Sequence, residues 1–184
     1  PLVLDSYKNP LTTFSTNVQG TVNLLEASFV SDFVEAIIVV TTDKVYKNIN
    51  SGRNFIESDA LAGKDPYSAS KVGAEAAVAA WQQISKIQDG PRVTSVRAGN
   101  VIGGGDTAEN RLIPDLIRGF KNSHKTVIRY PDSIRPWQHH VVWLPIHDSP
   151  FPHAFRQQIW LQSPLQACRL HPSLPVSNGP PWFP

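Results

Sequence analysis

Residues 35–41 read EAIIVVT, a continuous β-branched run of strand length. A run without polar alternation fits a strand covered on both faces, and such strands belong to parallel sheets. Parallel neighbours are joined through a crossover, usually a helix, and the sequence supplies one. Asp65 and Pro66 open YSASKVGAEAAVAAWQQISK, an alanine-rich helix predicted to run to about Lys86. Its small side chains let a helix lie close to a sheet or to a second helix. RVTSVR follows as a second strand, Val93 to Arg97. Strand, helix and strand in this order predict an α/β fold, a partial Rossmann-like, doubly wound parallel sheet.

Before this unit, the stretch from Asn9 to Phe29 sets Phe14, Val18, Val22 and Leu25 at helical spacing, with Pro10 in the first turn. Residues 47–64 are polar and predict a loop. After the second strand, GNVIGGGD predicts a glycine-rich loop, NRLIPDLIRGF a helix interrupted near Pro114, and TVIRY a short strand. The pattern then stops. Residues 140–184 hold nine of the 16 prolines, no lysine and Asp148 as their one acid, so an irregular, poorly ordered tail is expected.

The balance of 17 basic against 15 acidic residues gives a formal charge of +2, too small to call for nucleic acid or an anionic membrane. A small-molecule ligand is the better expectation. No apolar run approaches 18 residues, so no membrane span is expected. Cys168 stands alone and the six histidines lack metal-ligand spacing, which predicts a reducing, cytoplasmic setting and no metal. With no methionine and a start at Pro1, the sequence reads as an internal piece of a longer protein.

Chemistry concentrates in two places. The first strand ends in Thr41, Thr42, Asp43 and Lys44, a polar release that makes either a surface turn with a weak ion pair or the floor of a site. Tyr67 and Lys71 lie four apart on the predicted helix and share a face. A close ammonium stabilises a phenolate, and each unit by which a tyrosine pKa falls needs about 1.4 kcal/mol. Tyr67 could then serve as a base near neutral pH. Alone, the Tyr-x-x-x-Lys spacing is more often an ordinary surface pair. Gly99, Gly103, Gly104 and Gly105 fit neither GxGxxG nor the Walker pattern.

Together these motifs resemble the extended short-chain dehydrogenase/reductase family. PLVLDSYKNPLTTFSTNVQGTVNLLEA resembles the family's asparagine-bearing helix, and VVTTDKVY and DPYSASK its two catalytic segments. RAGNVIGGGD, RLIPDLIRGF and IRYPDSIRPWQH look like the CDP-glucose branch of its sugar-nucleotide 4,6-dehydratases, so that the resemblance covers about residues 1–139. It implies an NAD-dependent lyase acting on a nucleotide sugar, CDP-glucose, in surface-polysaccharide synthesis, with a homo-oligomeric parent. It implies catalytic roles for Thr42, Asp43, Lys44, Tyr67 and Lys71, and cofactor contacts for Thr41, Tyr67, Lys71 and Asn17. Asn100, Arg111 and Arg135 would bind the substrate's diphosphate and base, where a guanidinium fork suits phosphate oxygens. Without the resemblance, Asn17, Asn100, Arg111 and Arg135 also read as solvated surface residues.

Two departures from the family stand out. Its opening strand, glycine-rich turn and helix, which bind a dinucleotide pyrophosphate, have no counterpart in this sequence. After RPWQH the family continues approximately VLEPLSGYL, whereas this chain reads HVVWLPIHD. Codons for Val-Val-Trp-Leu-Pro can be read one base over as Leu-Ser-Gly-Tyr-Leu, which predicts a frameshift and an aberrant tail from residue 140. Two domains are thus expected: 1–139, the later part of a cofactor-binding core with the start of the substrate region, and the tail 140–184. Catalysis by such a piece is not expected. Thr107, where the family more often has tryptophan, bears on local substrate packing.

Overall fold

A computed structural model of the chain describes residues 3–49, 52–131, 133 and 135–140. Apart from His140, the predicted aberrant tail lies outside the described residues. The chain forms two compact units, one containing the described residues up to Ala98 and the other starting at Gly99.

In the first unit, α1 (Val3–Lys8), α2 (Pro10–Phe14) and α3 (Gly20–Phe29) precede β1 (Ala36–Thr42), α4 (Pro66–Gln88) and β2 (Arg92–Ala98). The predicted helix from Asn9 to Phe29 is present but uneven, since residues Ser15–Gln19 form a π-helical turn between α2 and α3. Widened turns of this kind often sit at functional positions. β1 and β2 pair in parallel, with Ala36 opposite Arg92 and Thr42 opposite Ala98.

The strand alternation sets Ile37, Val39, Val93 and Ser95 on one face. Leu25 of α3 and Ala77 and Val78 of α4 pack there with Ile37 and Val93 to form the core, flanked by Val22, Phe29 and Trp81. α4 comes especially close to the π turn at Gly73, where an added Cβ would stand 2.8 Å from a methyl of Val18. Among the described residues β1 is not covered on both faces as its composition predicts, because α3 and α4 share one face; Val40, on the other, is 55% exposed.

Asp65 caps α4 as predicted. Its carboxylate accepts from the Ser68 N–H at 3.0 Å, and the Ser68 hydroxyl accepts from the Asp65 N–H, closing a reciprocal capping box. The predicted loop 47–64 is tied at its base. Lys47 N–H donates to the Ala60 carbonyl and Ala62 N–H to the Val45 carbonyl, each at 2.8 Å. These bonds bring the start of α4 back to the end of β1.

In the second unit, β3 (Asn100–Ile102) pairs in parallel with β4 (Trp137–His139), and α5 spans Leu112–Lys121. Pro114 does not interrupt α5. It falls in the first turn, where an N–H has no intrahelical partner to lose. Residues 126–130 are not a strand, since they make no ladder; Ile128 is nonetheless buried, which accounts for the apolar pattern. β3 and β4, three residues each, carry too little periodicity to be read in advance. Among the described residues no helix is long and apolar enough to cross a membrane.

Candidate active site

The carboxyl end of β1 and the first turns of α4 gather the polar residues of the first unit. In open parallel sheets ligands bind beyond the carboxyl ends of the strands, so this is where a site is expected. Thr42 ends β1 in extended conformation and caps a single 3₁₀ turn, Asp43–Val45. Its hydroxyl accepts from the Lys44 N–H at 3.4 Å and donates to an Asp43 carboxylate oxygen at 3.1 Å. Asp43 and Lys44 are thereby turned out of the strand while Val45 is buried, which explains how a buried strand can end in charge.

The tied loop places α4 beside this turn. The Lys44 ammonium lies 5.9 Å from the centre of the Tyr67 ring, close enough for a cation–π attraction. Lys71, one helical turn further, is half-buried and donates from Nζ to the Val40 carbonyl at 3.2 Å. Burial holds its pKa below the ordinary lysine value, while the Glu75 carboxylate pulls it back up. Asn17 belongs to the π turn. Its amide donates to the Ser70 hydroxyl at 2.9 Å, and Ser70 donates to the Tyr67 carbonyl at 2.7 Å. Asn17 thus braces the turn of α4 that carries Tyr67.

Sequence reasoning missed a buried polar cluster beside these residues. Glu75 is 5% exposed, and its carboxylate accepts from the Thr41 hydroxyl, from the Ser95 hydroxyl at 2.9 Å and from the Arg97 guanidinium at 2.9 Å. Arg97 also donates to the Tyr46 hydroxyl at 2.8 Å and to the Glu57 carbonyl at 3.2 Å, with its guanidinium over the Tyr46 ring. Burial alone would raise the Glu75 pKa; the Arg97 and Thr41 hydrogen bonds, the Arg97 charge and Ser95 outweigh it, so the carboxylate stays ionised below the usual range. Thr41, expected at the cofactor, has its hydroxyl occupied by Glu75. A sequence signal for Glu75 existed: it continues the Tyr67, Lys71 spacing by four more residues.

The three residues expected at the substrate lie in the second unit. Asn100 opens β3, its N–H bonded to the Pro136 carbonyl at 2.9 Å next to exposed Arg135. Arg111 pairs with Asp106 at 3.0 Å. The Ala108 N–H does most to hold the Asp106 pKa below the ordinary carboxylate value, with Arg111 adding to it.

A fold of parallel strands with a crossover helix, and a Tyr-x-x-x-Lys face beside the first strand's polar end, agree with a match of residues 2–141 to the family model of the NAD dependent epimerase/dehydratase family. The chain belongs to that family. Within it, the chain is similar to CDP-glucose 4,6-dehydratase of Salmonella typhimurium, 46% identical over 144 residues that make up 76% of this chain and 40% of the relative. It is also similar to the low-salt glycan biosynthesis protein Agl12 of Haloferax volcanii, 35% identical over 67% of this chain and 38% of the relative. The chain therefore spans about two fifths of the length of these curated relatives. Among solved structures, a dTDP-glucose 4,6-dehydratase from Streptomyces venezuelae with NAD bound superimposes with a TM-score of 0.67 at 27% identity, over 76% of this chain and 41% of that one.

The donor set fits one end of the family's dinucleotide. A half-buried ammonium, Lys71, one turn from a phenol at the carboxyl end of a parallel strand suits a ribose diol and a reacting ring. A glycine pattern for the pyrophosphate is not part of this sequence.

Proposed function

We propose that this chain carries the catalytic segments of a sugar-nucleotide 4,6-dehydratase that converts CDP-glucose to CDP-4-dehydro-6-deoxyglucose and water. The observation that carries the reading is the approach of the Lys44 ammonium to 5.9 Å from the centre of the Tyr67 ring, at the turn that also carries Thr42 and Asp43. NAD, when bound, would supply the hydride acceptor for sugar C4 and the hydride donor for C6. Tyr67 and Lys71 would hold its nicotinamide ribose, with Asn17 bracing Tyr67 through Ser70.

Tyr67 as phenolate takes the proton of the 4-hydroxyl, which Thr42 hydrogen-bonds, and the Lys71 charge favours that phenolate. The resulting 4-ketone acidifies the C5 proton. Lys44, an ammonium beside the Tyr67 ring in the free chain, would have to give up its proton as substrate buries it; as neutral amine it removes the C5 proton, and Asp43 as carboxylic acid protonates the departing 6-hydroxyl, so that water leaves. Lys44 then returns a proton to C5 as the hydride reaches C6. Lysine after Asp43, where related dehydratases carry glutamate, and the similarity to the Salmonella enzyme support CDP-glucose over other nucleotide sugars. Asn100, Arg111 and Arg135 would meet the nucleotide diphosphate.

The second reading within this proposal is that the 184-residue chain is catalytically silent. It covers about two fifths of its relatives and has no pyrophosphate glycine turn. Mass spectrometry of CDP-, dTDP- and UDP-glucose incubated with NAD tests both statements. A chimaera, in which the Salmonella relative supplies the segments before and after residues 1–139, is expected to dehydrate CDP-glucose at least about tenfold faster than the others, and the chain alone none of them. Preference for dTDP-glucose would overturn the specificity. Turnover by the chain alone would overturn the silence.

A further inference from the structure

The Glu75 cluster lies outside the reacting groups, yet it joins every element that carries them. Its carboxylate holds Thr41, the residue before Thr42, on β1, and Ser95 and Arg97 on β2. Its own backbone belongs to α4, two turns beyond Tyr67 and one beyond Lys71. Arg97 extends the hold to Tyr46 and Glu57 in the loop that returns the chain to α4. Side chains of Glu75 and Arg97 are 4% and 6% exposed. An ion pair so buried gains little over an apolar pair of the same shape, so stability alone is a weak reason for it. What it supplies instead is direction. Hydroxyl, hydroxyl and guanidinium donors accept one carboxylate geometry, whereas an apolar contact tolerates sliding.

We propose that Glu75 is a positioning residue, a strut that fixes the Tyr67–Lys71 face of α4 against the Thr42–Asp43–Lys44 end of β1. The inference rests on the dehydratase reading for what those residues do, but not for the alignment itself. The Glu75 carboxylate, one turn from Lys71, also works against the burial that lowers that lysine's pKa.

Glu75→Gln leaves Arg97 buried without a counter-charge and risks unfolding. The double variant Glu75→Gln, Arg97→Gln removes both charges and is the main test. In the full chain labelled with [13Cε]lysine, with the Lys71 resonance identified by Lys71→Arg, the folded double variant is expected to lower the Lys71 titration midpoint by about half a unit or more. The Tyr67 and Thr42 side-chain resonances should shift with it. In the chimaera, kcat for CDP-glucose should fall about tenfold or more with KM little changed, and Glu75→Asp should recover part of the loss. A folded double variant with the wild-type Lys71 midpoint and unmoved Tyr67 and Thr42 resonances would overturn the proposal. Because the titration needs no turnover, a dehydratase reading that fails leaves this result standing, and the reverse also holds.

Discussion

Two arginine–carboxylate pairs of similar length sit in opposite surroundings. Arg97–Glu75 closes at 2.9 Å inside the β1–α4–β2 unit, with side chains 6% and 4% exposed. Arg111–Asp106 closes at 3.0 Å in the loop before α5, with side chains 36% and 28% exposed. Distance alone ranks them as equals; burial separates them. Water screens the second pair, and its loss leaves both partners solvated. Water does not reach the first, where removing one partner strands the other. One pair is part of the architecture, and the other can rearrange in solvent at little cost.

The largest break in this comparison comes from Arg97→Met. It leaves Glu75 ionised and buried, and about 3 to 5 kcal/mol of stability should be lost in urea unfolding followed by circular dichroism. A loss under about 1 kcal/mol would show that water reaches the cluster. Acid sharpens the contrast next. The folded Glu75 pKa lies below its unfolded value, so its contribution is present above the ordinary glutamate range and is lost as pH falls through the folded value. The urea midpoint should therefore drop on acidification below about pH 4.5, the ordinary glutamate pKa. The double variant Glu75→Gln, Arg97→Gln should lack that part of the drop; equal slopes would assign the acid sensitivity elsewhere. The smallest effect belongs to Asp106→Asn, expected to change stability by less than about 1 kcal/mol, since Arg111 keeps its solvent. A larger loss in the same urea assay would mean that the loop before α5 is as tightly organised as the cluster.

The sequence made much of the first unit legible. β1, α4 and β2 announce themselves through a β-branched run, an Asp-Pro start and a second apolar run, and all three are found within two residues of expectation. Tyr67 and Lys71 follow from helical spacing once α4 is known. Glu75 was not read because a glutamate in an alanine-rich helix resembles a solvated one, and its partners Thr41, Ser95 and Arg97 come from other elements. The π turn was hidden for a related reason. Ser15–Gln19 has ordinary helical composition, and the widening shows only in the backbone bonding that turns Asn17 to Ser70. In the second unit, three-residue strands and a proline in a first turn carry weak signals, so the sequence does not announce β3 and β4 and predicts a break in α5 that is not there.

The in-register pairing of Ala36 with Arg92 joins residues 56 positions apart. None of the β1–β2 ladder can form until the loop and the whole of α4 have been folded back between the strands. Closing so long a stretch costs entropy before any ladder bond repays it, and chains dominated by such distant contacts fold slowly. The capped, locally bonded α4 is thus the natural early element, and docking of the two strands is the slow event that assembles Thr41, Ser95 and Arg97 around Glu75.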